Sequence, residues 1–214
     1  MMEFYVYKDV NNNTVISVIP PLETTDYQVI VAEKPEDLII DANGNVRVKT
    51  EAEKLAEKKQ MYLQSLPNVI TNWIHSYYPP VKQQSDLADY ITYTTLLRSM
   101  TAPEAELSAI IANIAKSIIE FSTTARSSYA SVDDLIVAAK NYFDQLVTNL
   151  VTSYSMYPAN ALIQLSKIAV RTAQVEHIKS IYYATINALQ SATSLADLDN
   201  VYNSITNSYV WIQV

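Results

Sequence analysis

A single glycine, Gly44, occurs in 214 residues, and this constrains the fold and its chemistry more than any other feature. Average usage of roughly 7% would give about 15. Glycine lets a backbone take positive φ or press against a phosphate. Phosphate loops, dinucleotide-binding turns and nucleophile elbows are built on such residues, so none of them can be built here. A chain this poor in flexible positions is expected to be a helical, non-enzymatic protein.

The hydrophobic content, 49%, suffices for a real core, and the length suits one large domain or two small ones. No stretch approaches the ~18 consecutive apolar residues of a membrane span. Glu3, Lys8 and Asp9 interrupt any apolar run of a secretory leader, so a cytoplasmic origin is expected. With no cysteine, disulfides, thiolate metal sites and cysteine nucleophiles are excluded. The net charge of −7 argues against bare nucleic acid as a partner, which calls for a basic face. Lys54, Lys58 and Lys59 are interleaved with Glu51, Glu53 and Glu57 and read as a solvated helix face.

The first fifty residues carry strand signals. Phe4, Val6 and Lys8 alternate with Tyr5, Tyr7 and Asp9, the run Asn11 to Asn13 marks a turn, and Thr14–Ile19 and Tyr27–Ala32 continue the pattern. Asp41-Ala42-Asn43-Gly44-Asn45 predicts a hairpin with a type I′ turn at Asn-Gly. From Thr50 the period lengthens to about 3.6. The capping box Thr50-Glu51-Ala52-Glu53 opens a helix that is expected to stop at Pro67, followed by a second over Val69–Tyr77. A third is expected from Ser85-Asp86, with Leu87, Tyr90, Ile91, Thr94 and Leu97 on one stripe.

Thr101-Ala102-Pro103-Glu104 then predicts the start of a helix with Leu107, Ile110, Ile111, Ile114, Ile118 and Phe121 on its inner face. Ser131 caps the next, carrying Leu135, Ala139, Tyr142, Leu146 and Leu150. A long helix over Ala159–Ser191 repeats apolar residues near every 3.5 positions (Ala161, Leu165, Ile168, Thr172, Val175, Ile178, Tyr182, Ile186, Leu189), a seam able to meet a neighbouring subunit. Ser194 caps a last helix. The expected fold is mainly α, with a small N-terminal antiparallel β region and a C-terminal antiparallel helical bundle. Residues 1–49, 50–100 and 101–214 form its three regions.

The stretch 41–60, DANGNVRVKTEAEKLAEKKQ, followed by 77–97, YYPPVKQQSDLADYITYTTLL, resembles small accessory proteins encoded beside tail fibres in tailed bacteriophages and prophages. The matching positions are Asp41, Asn43, Gly44 and Asn45, then Tyr78, Pro79, Lys82, Gln83, Ser85, Asp86, Ala88 and Asp89. The resemblance implies a virion or tail-assembly role without catalysis, and it makes Tyr78, Lys82, Gln83, Asp86 and Asp89 candidate partner-binding residues. Read from the residues alone, Ser85 is an N-cap and Asp86 favours the helix dipole. The region from Thr101 onward lies outside the resemblance.

His75 and His177 fall in separate helices and form no metal-binding pair. Glu104/Glu106 and Asp133/Asp134 fall in first helical turns, where acids satisfy amides, so no catalytic, cofactor or metal residues are assigned. The polar faces after Thr101 are mainly Ser, Thr, Asn and Gln, side chains cheaper to desolvate than ions. Lys/Arg-rich faces would mark membrane-surface helices instead. Other virion or tail proteins and further copies of the chain are the expected partners, with no nucleic acid and no membrane, in the virion or the host cytoplasm. Alternatives are a helical coat protein of an archaeal or thermophilic virus, and a cytoplasmic adaptor or chaperone that takes a partner's helix in a groove.

Overall fold

The computed structural model describes residues 1–22, 26–100 and 104–214. The described residues divide into two compact units, one of Met1–Met61 with Thr193–Leu198, the other of Tyr62–Ala192 with Asp199–Val214.

In the first unit, β1 (Met2–Lys8) pairs antiparallel with both β2 (Thr14–Ser17) and β3 (Gln28–Ala32), giving the order β2-β1-β3. The strands β4 (Leu38–Ile40) and β5 (Val46–Val48) form a separate antiparallel hairpin. The period of two sets the faces. Phe4, directly opposite Ile30, points inward with Ala32, Leu38 and Val46, against which Val6 and Val48 pack. On the outer face, Tyr5 lies opposite Val29 and meets the Tyr27 ring edge-on at 5.5 Å.

The hairpin at Asp41–Asn45 is present, but its turn differs from the type I′ expectation. Gly44 has φ 83°, whereas Asn43 is not in the positive region. The Gly44 amide donates to the Asp41 carbonyl at 2.9 Å, and the Asp41 amide to the Asn45 carbonyl at 2.8 Å. This is a type I turn closed by one left-handed residue, the three-residue hairpin loop. Asp41 Oδ1 selects it by accepting the amides of Asn43 and Asn45. The β1–β2 loop repeats the arrangement: Asp9 Oδ1 accepts the amides of Asn11 and Asn13, and Asn12 takes the left-handed place at φ 62°.

The helix α1 runs unbroken over Glu51–Tyr77. Its capping box forms as expected, with the Glu53 amide donating to Thr50 Oγ1 and the Thr50 amide to Glu53 Oε2. The expected stop at Pro67 does not occur. Proline removes one amide and crowds the carbonyl four residues back, but Pro67 lies on the exposed side of the helix, where water can serve the Leu63 carbonyl. Leu66, Ile70, Trp73 and Ile74 are buried around it.

The second unit contains α2 (Pro80–Arg98), α3 (Glu104–Thr124), α4 (Val132–Ser153) and α5 (Ala159–Ser191), and α6 spans Leu195–Ser204. The helix α2 starts five residues earlier than expected from Ser85, because Pro80 occupies its first position, where no amide is needed. Ser85 is therefore interior and no cap. Residues 101–103 of the expected α3 start lie outside the described residues. Ser131 and Ser194 accept the amides of Asp134 and Asp197, as their spacing predicts.

Helix α5 packs against α2, α3 and α4. Its buried positions are not a single seam: Ala161, Leu165, Ile168, Ile178 and Leu189 are buried as expected, Thr172 is exposed, and Leu162, Ser166, Val170, Arg171 and Gln174 are buried on other sides. Much of α5 is thus enclosed by its own chain. On α4 the inner stripe is Leu135, Ala139, Phe143, Val147 and Leu150, with Tyr142 and Leu146 only partly covered. No element is expected from the sequence after the last helix, yet the apolar run Tyr209, Val210, Trp211 and Ile212 is buried throughout. The Gln174 side chain acts as a strand neighbour for it. Its Nε2 donates to the Ile212 carbonyl at 3.0 Å and its Oε1 accepts the Ile212 amide at 2.7 Å. Ser122 Oγ donates to the Val210 carbonyl.

Candidate functional site

Four of the five candidate residues converge where α2 begins. Tyr78, buried just before the helix, donates its hydroxyl to Asp86 Oδ2 at 2.9 Å. Lys82 Nζ reaches Asp86 Oδ1 at 2.8 Å, one turn away on the same face. Gln83 Nε2 donates to the Tyr78 carbonyl. Asp89, three residues beyond Asp86, lies outside this network.

The residue that organises the cluster is one that sequence reasoning missed. Arg171, on α5, makes a two-pronged bond to Asp86, Nε to Oδ2 at 2.6 Å and Nη2 to Oδ1 at 2.9 Å. Asp86 and Arg171 are 1% and 8% exposed. The sequence leads one to expect Asp86 to favour the dipole of a helix opened by Ser85; with α2 starting at Pro80 it lies beyond the first turn instead, as a buried counter-ion. A guanidinium presents its donors in a fork matching a carboxylate, which pins α2 to α5. Burial pushes the Asp86 pKa up, but the bonds from Arg171, Lys82 and Tyr78 outweigh it and hold the group below the usual carboxylate range. Burial, then the bond to Asp86, drives Tyr78 up to about 12. Trp211 stacks over Tyr77 at 5.8 Å and lies tilted against Tyr78 at 6.2 Å.

Beyond this pin α2 does not close onto its neighbours. Between α2, α3 and α5 runs a groove of about 690 Å³, with Gln83 and Asp86 at one end and Leu97 and Leu107 among its walls. The α2 wall is Leu87, Tyr90 and Thr94, spaced as one helical face. The opposite walls mix small residues, Ser108, Ala112 and Ala115 on α3 and Ala169, Thr172 and Ala173 on α5, with the larger Ile111, Leu165, Ile168 and Val175. Four of the five residues of the expected α2 stripe, Leu87, Tyr90, Thr94 and Leu97, thus border an open groove. Leu87, Tyr90 and Ile91 are 62%, 48% and 57% exposed.

The chain matches no protein-family model, no curated protein and no solved structure.

The groove is lined mainly by apolar and uncharged polar side chains. Its one ionised lining group, Asp86, is neutralised by two cations, and Tyr78 holds its proton near neutral pH. General acid–base work needs a group poised near the operating pH. His75 is exposed near the end of α1, and His177 lies elsewhere, its ring 4.7 Å from that of Tyr209. Burial lowers the His177 pKa. Glu106 accepts the Tyr154 hydroxyl at 2.8 Å, and Asp134 the Ser131 hydroxyl. Among the described residues, no cluster of three metal-ligating side chains occurs and no helix is long and apolar enough to cross a membrane.

Proposed function

We propose that this protein is a non-enzymatic structural or assembly component of a virus, attached to a phage tail or tail fibre and working through protein–protein contacts. The observation that carries the reading is the three-helix groove, walled by apolar and uncharged polar side chains and without an available proton donor or acceptor of suitable pKa. Such a surface can be covered by another chain at little desolvation cost. The outer face of the β unit, with Tyr5, Tyr27 and the exposed Val29 and Val31, supplies a second surface. Aromatic rings with a polar tip suit that role. The phage assignment rests on the resemblance of the segments around Asp41–Asn45 and Tyr78–Asp89, and implies the virion or the host cytoplasm as the protein's location.

Mass spectrometry of purified particles from the producing culture tests this. A fixed number of copies per particle is the expected result; absence from particles would refute the structural role. The groove also favours a second reading, an adaptor that takes a partner's helix. Reversible one-to-one binding to a protein that is itself absent from particles would select it. Self-assembly of the pure protein into filaments or shells would select a coat protein.

A further inference from the structure

The groove between α2, α3 and α5 is polarised along its length, and we propose that it binds a single-chain aliphatic carboxylate, the chain lying along the groove and the head group held by Lys82 and Gln83. This goes beyond the contact role proposed above and is independent of it.

Two hydrogen bonds fix the direction of the groove. Asp86 accepts from Arg171 at 2.6 Å and Tyr93 accepts from Asn160 at 3.2 Å, so α2 and α5 run antiparallel and the stretch from Asp86 to Leu97 lies beside that from Arg171 back to Leu165. The one ionised lining group is thus at one end. Beyond it the lining carries no charge and mixes Leu107, Ile111, Leu165 and Ile168 with alanines. Thr94, one of the few hydroxyls there, donates to the Tyr90 carbonyl at 2.6 Å within its own helix, so an apolar occupant orphans no donor at that point. The α5 wall from Leu165 to Val175 is about 15 Å long at 1.5 Å per residue. A volume of about 690 Å³ over that length gives a section of roughly 45 Å², which an α-helix of about 10–12 Å diameter can cover but not enter. A methylene chain can enter it. Such a chain asks no hydrogen bond of the walls and bends to their relief.

Charge at the Asp86 end selects the head group. Two cations meet one carboxylate there, Lys82 Nζ at 2.8 Å and Arg171 Nε at 2.6 Å, which leaves one positive charge in excess. Asp86 has nothing to offer a ligand cation, because each of its oxygens already accepts from two donors: Tyr78 and Arg171 at Oδ2, Arg171 and Lys82 at Oδ1. Donors do remain. The Lys82 ammonium and the Gln83 amide keep N–H groups after bonding Asp86 and the Tyr78 carbonyl. Lys82, Asp86 and Tyr90 are spaced by four on α2, so Lys82, its side chain 44% exposed, continues the row of groove-lining residues past Asp86. Asp89, the next acid on α2, does not line the groove. A carboxylate at this end gains a charge-assisted bond without displacing an existing one. A neutral head forgoes that bond, and a cationic head meets the excess charge.

Isothermal titration calorimetry of the full chain at neutral pH tests the site, with decanoate, decanol and decylammonium as probes. Decanoate is expected to occupy a single site at least about 10-fold more tightly than either other head group. Dodecanoate, two methylenes longer, should bind about 10-fold more tightly again. Lys82→Met should bring decanoate down to the level of decanol and leave decanol itself unchanged. Ala112→Phe, at an exposed position that lines the groove, should fill the slot and weaken both by about 10-fold or more with an unaltered circular dichroism spectrum. Val137→Glu, exposed on α4 and outside the groove, should change neither. A wild type that takes up no decanoate at about 1 mM, that binds the three head groups alike, or whose binding survives Ala112→Phe overturns the proposal. Copies in virus particles are counted separately, so the proposed function and this site stand or fall on different measurements.

Discussion

The two units answer their polar groups over very different distances along the chain. In the β unit, Asp9 and Asp41 bond amides two and four residues away, Glu53 reaches Thr50, and the Arg47–Glu53 pair spans six residues. In the helical unit, Gln174 meets Tyr209 and Ile212, Ser122 meets Val210, and Arg171 meets Asp86, over 35 to 88 residues. The first set is exposed and shapes turns and ends. The second set is buried and holds distant elements together. Exposed pairs contribute roughly 0–1 kcal/mol each, whereas removing one member of a buried pair strands the other. The Glu53 carboxylate shows that a large shift need not mean stability: the Arg47 bond takes it down to about 2 at a site still open to solvent.

Mutations should reproduce this contrast, and the largest effect is expected at the pin. Arg171→Met leaves Lys82 as the only counter-charge of Asp86 in a buried site and should lower stability by about 3–5 kcal/mol, read by denaturant unfolding. Adding Asp86→Leu should restore most of it. A loss below about 1 kcal/mol for Arg171→Met would put the pin in the same class as the surface pairs. Next comes Gln174→Leu, which strands the amide and carbonyl of Ile212. It should cost about 2–4 kcal/mol and speed hydrogen exchange at the Ile212 amide.

The pH step expected nearest neutrality belongs to the helical unit. Burial depresses the His177 pKa in the folded state, so the unfolded chain takes up the proton first. Stability is therefore fully present above the ordinary histidine value of about 6.5 and declines as pH falls below it. His177→Phe should remove that step. The depressed Asp86 pKa acts with the same sign further down, its contribution fading as pH falls from about 4. A melting temperature flat from pH 7 to about 5 in the wild type would contradict the first assignment. The smallest effects belong to the paired loops. Gly44→Ala meets no atom within 4 Å, so its cost of about 1 kcal/mol would be the left-handed backbone alone. Asn12→Gly, at the equivalent place, should be neutral or stabilising by a few tenths of a kcal/mol.

The same distances explain which features the amino-acid sequence discloses. Caps at Thr50, Ser131 and Ser194 are legible because donor and acceptor lie three residues apart, and the strands around Phe4 and Ile30 because alternation is local. The helix α3 stripe of Leu107, Ile111, Ile114 and Ile118 is legible for the same reason. Pro67 misleads because the cost of a proline depends on whether the carbonyl it displaces faces water, which no local pattern records. Ser85-Asp86 misleads because a good N-cap sequence also occurs inside a helix already started by Pro80. At the candidate site, Tyr78, Lys82, Gln83 and Asp86 are in view, since they sit within nine residues of one another. Arg171 is not. One clue exists: Arg171 follows the apolar run Ile168-Ala169-Val170 on a helix whose neighbouring positions are buried, which calls for a counter-ion. Gln174, one turn on, carries the same signal for the segment Tyr209–Ile212.

That segment has a consequence for how the protein comes into being. Tyr209 to Ile212 fill the space beside α3 and α5, yet the ribosome makes them more than thirty residues after Gln174. Until they emerge, Gln174 has no backbone to hold and the nascent helices keep an apolar flank bare. The helical unit therefore reaches its sealed form only after translation has passed Ile212, and the cell's chaperones have their longest opportunity in that interval.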